Sequence, residues 1–225
     1  MAAEGLCRTF VQAGHEVRAV RDVSLTLEPG EVVCLLGRSG SGKSTLLHLL
    51  GLLDRPDRGR VTLCGQDTGA LGERARAALR LRHVGFVFQA SHLVEHLTAR
   101  ENVALPLRYA GIASAERLQR ADAVLERVGL SERRPFYPRQ LSGGEQQRVA
   151  LARALVTVGD APRVILADEP TGELDSRTAE DVAGLFVAAA REAGCAVLIV
   201  THDETLTRIA ARVLRMDDGR VATGL

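Results

Sequence analysis

The sequence predicts an α/β domain, a core of alternating strands and helices interrupted by a mostly helical insertion. Three observations predict it. A buried-strand run, Val32-Val33-Cys34-Leu35-Leu36, leads through the glycine-rich stretch Gly37-Arg38-Ser39-Gly40-Ser41-Gly42-Lys43-Ser44 into a helix-period segment, Leu46 to Leu50. From residue 163 strand and helix signals alternate along the rest of the chain. Between about 90 and 160, apolar residues recur at helical spacing and strand signals are few. At 225 residues the chain can bury roughly 70% of its unfolded surface, enough for one large domain without a disulfide or metal staple.

The elements run in order. Leu6 to Val11, Val17 to Val20 and Val23 to Leu27 alternate like strands, and Glu28-Pro29-Gly30 is the turn before the buried run. Arg55-Pro56-Asp57-Arg58-Gly59 is a turn and Val61-Thr62-Leu63 a short strand. Residues 70–82 read as a helix, and Val84 to Phe88 as a buried strand ending at Gln89. Residues 98–130 are helical, with Gly111 and Gly129 as stops. Pro135 and Pro138 mark a loop before a helix at 143–158. Then come a strand Val164 to Ala167, a helix 177–192, a strand Ala196 to Val200, a helix 204–211, and strands at 213–216 and 220–223.

Composition excludes several function classes. A net charge of +1 gives no general attraction to nucleic acid or anionic lipid. Arg74, Arg76, Arg80 and Arg82 lack interleaved aromatics and read as a solvated helix face, so no nucleic-acid partner is expected. Cys7, Cys34, Cys64 and Cys195 form no C-x-x-C pair, as expected of reduced thiols in a cytosolic protein. The most apolar stretch, Val182 to Val200, is broken by Arg191 and Glu192, so any membrane is reached through a partner. His92 and His96 lie four apart but lack the H-E-x-x-H glutamate and a third ligand, which argues against a metal there.

Gly37 to Ser44 fits G-x-x-x-x-G-K-[ST] between a strand and a helix, the context a phosphate-binding loop requires. Glycines let Gly37, Arg38, Ser39, Gly40, Ser41 and Gly42 wrap closely, with N–H groups aimed at phosphate oxygens. The helix N-terminus at Lys43-Ser44-Thr45 adds free N–H donors and partial positive charge. Lys43 supplies a point charge for the β/γ-phosphates and Ser44 a hydroxyl for Mg²⁺. Lys43 is also the only lysine among 29 basic residues, retained where a slim ammonium fits and a guanidinium is too wide. Asp168 and Glu169 end a buried strand, where α/β sheets place ligands. Asp168 suits a direct or outer-sphere Mg²⁺ partner, and Glu169 can polarise a water for in-line attack on a γ-phosphate.

Leu141-Ser142-Gly143-Gly144-Glu145-Gln146-Gln147-Arg148 opens a helix with a capping box, Ser142 with Glu145. Its two glycines leave N–H groups bare for a phosphate. The whole string resembles the signature of ABC ATPases, and the resemblance covers nearly the whole chain. It implies a P-loop NTPase with a mixed-sheet core, an N-terminal antiparallel β subdomain, and a helical subdomain between the Gln loop and the signature. Residues 1–225 would form one domain, 1–90 and 160–225 the core and about 91–159 the helical part. It further implies ATP and Mg²⁺ as ligands and a head-to-tail homodimer. In such a dimer Ser142, Gly143 and Gly144 contact the nucleotide of the other copy, and Asp175, in Gly172-Glu173-Leu174-Asp175, crosses the interface. Phe10 resembles the aromatic that stacks on adenine, the alternative being a strand core residue. Gln89 resembles the glutamine that senses Mg²⁺ and γ-phosphate, and His202 the switch histidine.

Val84 to Gln89 and Leu97 to Leu107 resemble the group of lipoprotein-releasing and macrolide-exporting ATPases and the ATPase of the cell-division pair. The implied function is ATP hydrolysis that drives an integral-membrane permease from the cytoplasmic face of the membrane. A regulator of a membrane partner at division, and a soluble ABC ATPase acting on DNA or ribosomes, are the rival readings. Ser91 and Glu95 depart from that group in the segment that would face the permease, Arg38 replaces a common proline, and Glu173 replaces a smaller polar residue.

Overall fold

The computed structural model describes residues 1–12, 14–157 and 162–223. In chain order the strands are β1 (Ala2–Gln12), β2 (His15–Thr26), β3 (Val32–Leu36), β4 (Arg58–Leu63), β5 (Gln66–Asp67), β6 (Val84–Phe88), β7 (Val164–Asp168), β8 (Ala196–Thr201), β9 (Arg212–Asp217) and β10 (Arg220–Thr223). The helices are α1 (Lys43–Leu50), α2 (Glu73–His83), α3 (Ala99–Tyr109), α4 (Ser114–Arg127), α5 (Gly143–Leu155) and α6 (Ser176–Ala193).

Two sheets result. The N-terminal one is antiparallel, in the order β2-β1-β4-β5, and the second runs β10-β9-β3-β8-β7-β6. In the second, β9, β3, β8, β7 and β6 are parallel and only β10 is antiparallel. Every residue of β3 and β8 is buried, the continuous apolar run that a sheet covered on both faces requires. Register aligns the strand ends: Leu36 pairs with Thr201, Asp168 with Val200 and Phe88 with Asp168. The carboxyl ends of β3, β6, β7 and β8 therefore finish level, and the four segments that leave them open onto one edge.

The helical part begins where β6 ends. Thr98 caps α3 in a box with Glu101, and Ser142 caps α5 in a box with Glu145. Asn102 is fully buried and satisfied, its amide nitrogen donating to Val94 O, Leu97 O and Thr98 O and its Oδ1 accepting from Val94 N–H. It pins the irregular segment after Gln89 onto α3. Apolar side chains of α3, α4, α5 and α6 share one cluster with Val87, Ile165 and Val197 of the sheet.

Several expectations need correction. The helix expected over 204–211 is a 3₁₀ turn, Glu204–Ile209, opened by Asp203 accepting from Thr205 N–H and hydroxyl. The helix expected over 143–158 stops at Leu155, where Val156 turns extended at ψ 121°. Position 158 and the boundary at 159–160 lie outside the described residues. The Arg74–Arg82 row is not a wholly solvated face: Arg76 is buried with Nη2 on Asp54 O, and Arg80 donates to Leu52 O at 2.7 Å. Strand β5 carries no apolar alternation and was not expected.

Candidate functional site

A cleft of 910 Å³ lies at the shared edge of the parallel sheet. It is built on the loop between β3 and α1. Gly42 sits at φ 101°, and a Cβ there would lie 2.0 Å from Ala19 O, so only glycine fits where the N-terminal sheet presses on the loop. Gly37 has the same constraint from the other side, a Cβ falling 2.5 Å from Met216 O. Lys43 is buried, and its Nζ donates to Gly37 O at 2.7 Å and Arg38 O at 3.1 Å, which arches the loop around the ammonium. The hydroxyl of Ser41 is buried without a partner among the described residues. An unpaired buried donor beside a cation and a helix N-terminus is chemistry that fits a phosphate.

The opposite wall comes from β7 and β8. Glu169 has φ +47°, a left-handed conformation costing roughly 1–2 kcal/mol for a non-glycine residue. Bonds from Glu169 N–H to Val200 O (2.8 Å) and from Gly172 N–H to Glu169 O (3.1 Å) hold it there. The bend turns its carboxylate along the sheet edge. Thr201 Oγ1 donates to Glu169 Oε2 at 2.8 Å, and His202 Nδ1 lies 2.9 Å from Oε1. The carboxylate is mostly buried at 17% exposure while the His202 side chain is 71% exposed, so the acid is enclosed and the ring stands towards solvent.

The cleft brings together Phe10, Arg38, Ser39, Gly40, Ser41, Gly42, Lys43, Ser44, Thr45, Gln89, Asp168, Glu169 and His202. Gly37 contributes its carbonyl to Lys43 from behind the loop. Phe10 is 39% exposed, with the Arg8 guanidinium 4.8 Å from its ring centre, which sets it at the rim rather than in a core. Arg8 is itself fixed by Asp54 and Asp57. Ser44, Asp168 and Gln89 each carry an oxygen able to bind a cation, the donor set of a hard ion such as Mg²⁺.

Five expected site residues do not line this cleft, Gly37 behind the loop and four others. Ser142 and Gly143 are exposed at the start of α5, and Asp175 is exposed at the cap of α6. Gly144 is buried for a packing reason: a Cβ there would lie 2.2 Å from Thr178 Cγ2. Asp175 accepts from Thr178 hydroxyl and N–H, which hold its carboxyl below the usual range.

Sequence reasoning missed Gln147. It is 3% exposed, and its amide nitrogen donates to Phe88 O at 2.8 Å and Pro170 O at 2.7 Å, tying the segments that carry Gln89 and Glu169 to one helix. Its signal was a polar residue on the helix face shared with Gly144, Leu151 and Ala154, all buried. Arg153 adds to the tie, donating to Ser91 O at 2.7 Å and His92 O at 2.6 Å. His92 packs edge-on against Phe88 and belongs to no helix.

Comparison with known proteins gives the family and the fold. The family model described as ABC transporter matches residues 20–172. The chain is 50% identical over 214 residues to the lipoprotein-releasing system ATP-binding protein LolD of Maricaulis maris, covering 95% of this chain and 92% of that one. It is 47% identical over 223 residues to the macrolide export ATP-binding/permease protein MacB of Bradyrhizobium diazoefficiens, covering 99% of this chain but 34% of the relative. This chain thus spans about a third of the macrolide exporters it matches. Among solved structures, the dimeric bacterial ABC transporter cassette MJ0796 superposes with a TM-score of 0.87 at 38% identity, covering 98% of this chain and 95% of that one. A post-hydrolysis state of the same cassette, bound to ADP and Pi, superposes with a TM-score of 0.87 at 36% identity, covering 100% and 99%.

Proposed function

Because this chain belongs to the ABC transporter family as one of its ATPase cassettes, we propose that it hydrolyses ATP as a head-to-tail dimer and drives a membrane permease. One observation carries the reading. The cleft holds Lys43, Ser44, Asp168, Glu169 and His202, while Ser142, Gly143 and Asp175 stand exposed outside it. The signature residues expected on a phosphate thus stand outside the chain's own cleft, which suits a second copy arriving with the opposite polarity.

In this reading Phe10 stacks on adenine, the 37–45 loop wraps the phosphates, and Lys43 neutralises the β/γ-phosphates. Ser44, Asp168 and Gln89 would hold Mg²⁺, which offsets phosphate charge when bound. Glu169 takes the proton of the attacking water, with Thr201 fixing one carboxylate oxygen and His202 leaving the other to reach the γ-phosphate. The helical lobe expected over about 91–159 carries the signature.

A second cleft supports the permease partner. It measures 440 Å³ and is lined by Leu53, Leu81, Phe86, Pro106, Tyr109 and Arg153 among others. Tyr109 is 73% and Leu53 46% exposed, an apolar patch suited to a docking segment. Arg153 at its wall grips the backbone just after Gln89, so a shift in the groove reaches the nucleotide cleft. No helix among the described residues is long and apolar enough to cross a membrane, and we place the chain on the cytoplasmic face, held through the permease.

The test is Glu169→Gln. It should bind ATP, run as a dimer on size exclusion only with ATP, and lose turnover by about 10²–10⁴-fold. Undiminished turnover removes Glu169 as base, and a monomer at saturating ATP removes the dimer. Purification from membranes should bring a permease with the wild-type chain.

A further inference from the structure

Gln89 is held from two directions. Gln147 spends both amide hydrogens on Phe88 O and Pro170 O, which brings the segment after β6 against the turn that leaves Glu169. At that junction Gly172 packs on the Gln89 amide, a Cβ there falling 3.5 Å from its nitrogen. The next residue supplies a carboxylate: Gln89 Nε2 donates to Glu173 Oε1 at 3.4 Å. An ionised carboxylate only accepts, so it engages the nitrogen end of an amide and never the oxygen end.

We propose that Glu173 is a positioning residue for Gln89, taking its amide nitrogen so that its oxygen faces the cleft. The oxygen is the only atom of a glutamine side chain able to bind a cation. Without Glu173 the amide can present either end towards Ser44 and Asp168, and the nitrogen end repels a cation. Glu173 also stands two residues before Asp175, the residue assigned to the dimer interface. The orientation of Gln89 in one site is thereby linked to the backbone that a second copy would touch. This rests on the reading of Gln89 as a Mg²⁺ partner in an ATP site.

The experiment measures ATP affinity of the full chain with a fluorescent ribose-labelled ATP, in EDTA and in excess Mg²⁺, in a Glu169→Gln background that blocks turnover. The readout is the ratio of the two dissociation constants, which a general loss of fold or of nucleotide affinity leaves unchanged. One lost hydrogen bond predicts that Glu173→Ala lowers the Mg²⁺ advantage about three- to tenfold while affinity in EDTA stays as it was. In a Gln89→Ala chain the same Glu173→Ala change should have no further effect. No change in the ratio, or an equal change with and without Gln89, overturns the proposal. If the unaltered chain shows no Mg²⁺ advantage at all, the reading of Gln89 as a Mg²⁺ partner fails and the proposal falls with it, while no ATP binding in either condition removes the ATP site itself. An equal effect of Glu173→Ala with and without Gln89, beside an intact wild-type advantage, sinks the proposal alone.

Discussion

Glycine at 144 invites two explanations, bare N–H groups for a phosphate or room for a neighbour, and the structure favours room. An alanine Cβ would lie 2.2 Å from Thr178 Cγ2, where ordinary contact begins at 3.4 Å, so something must move by more than an ångström. Thr178 cannot simply rotate, because its N–H (3.1 Å) and hydroxyl (2.6 Å) are both bonded to Asp175 as the cap of α6. Overpacking costs about 1–3 kcal/mol and loss of such a cap about 1 kcal/mol, so Gly144→Ala should destabilise by about 2–4 kcal/mol. Equilibrium urea unfolding reads this as a lower midpoint at constant slope. Thr178→Ser removes the offending methyl yet keeps the capping hydroxyl, and the double variant should recover at least half of the loss. ATP binding to the monomer should be untouched, since residue 144 lies outside the cleft. A Gly144→Ala chain as stable as wild type, or a double variant as unstable as the single, refutes the packing argument.

Two further predictions rest on buried or hydrogen-bonded groups. Gln147→Leu leaves Phe88 O and Pro170 O without their donor, a cost of about 2–4 kcal/mol by urea unfolding, and should slow ATP turnover at saturating ATP more than it weakens ATP binding. Glu145 sits below the usual carboxylate range, chiefly through the Arg133 guanidinium at 2.7 Å and then the Ser142 N–H. A depressed carboxyl stabilises above its unfolded value and loses that contribution as pH falls through its folded value. The stability gap between wild type and Glu145→Gln should therefore be constant near neutrality, shrink below about pH 4.3 and vanish once the folded carboxyl is protonated; a gap unchanged across the acid range contradicts this.

What the sequence made legible is what is contiguous. Gly37 to Ser44 declares its chemistry because loop, lysine and helix start succeed one another, and the strand register then delivers Gln89, Glu169 and His202 to the same edge. The capping box of Ser142 with Glu145 and the stops at Gly111 and Gly129 are local too, and α3, α4 and α5 sit beside them. The rest depended on residues far apart in the chain. Gln147 acquires its role only when β6 and β7 pair, and the buried Arg76 finds its acceptor in the carbonyl of Asp54, 22 positions earlier. Residues 204–209 hold apolar positions at helical spacing, yet Asp203 takes both the N–H and the hydroxyl of Thr205, and the tighter 3₁₀ turn wins. Phe10 could have been core or ligand on its alternation alone. Its 39% exposure at the cleft rim is a fact of how β1 ends, not of the residues beside it.

The half-site is the central claim, and mixing two inactive variants tests it most directly. Lys43→Ala should fail to hold ATP, and Ser142→Arg should hold ATP but fail to complete the site of a second copy. Each alone should hydrolyse almost nothing. In a head-to-tail dimer of one of each, one composite site combines the intact Lys43 of one chain with the intact Ser142 of the other. With random pairing about half the dimers in an equal mixture would be of this kind, with one working site each, so turnover should recover to at most about a quarter of the wild-type value per chain. A mixture that stays as inactive as its components, or a Ser142→Arg chain that is fully active alone, would contradict the account.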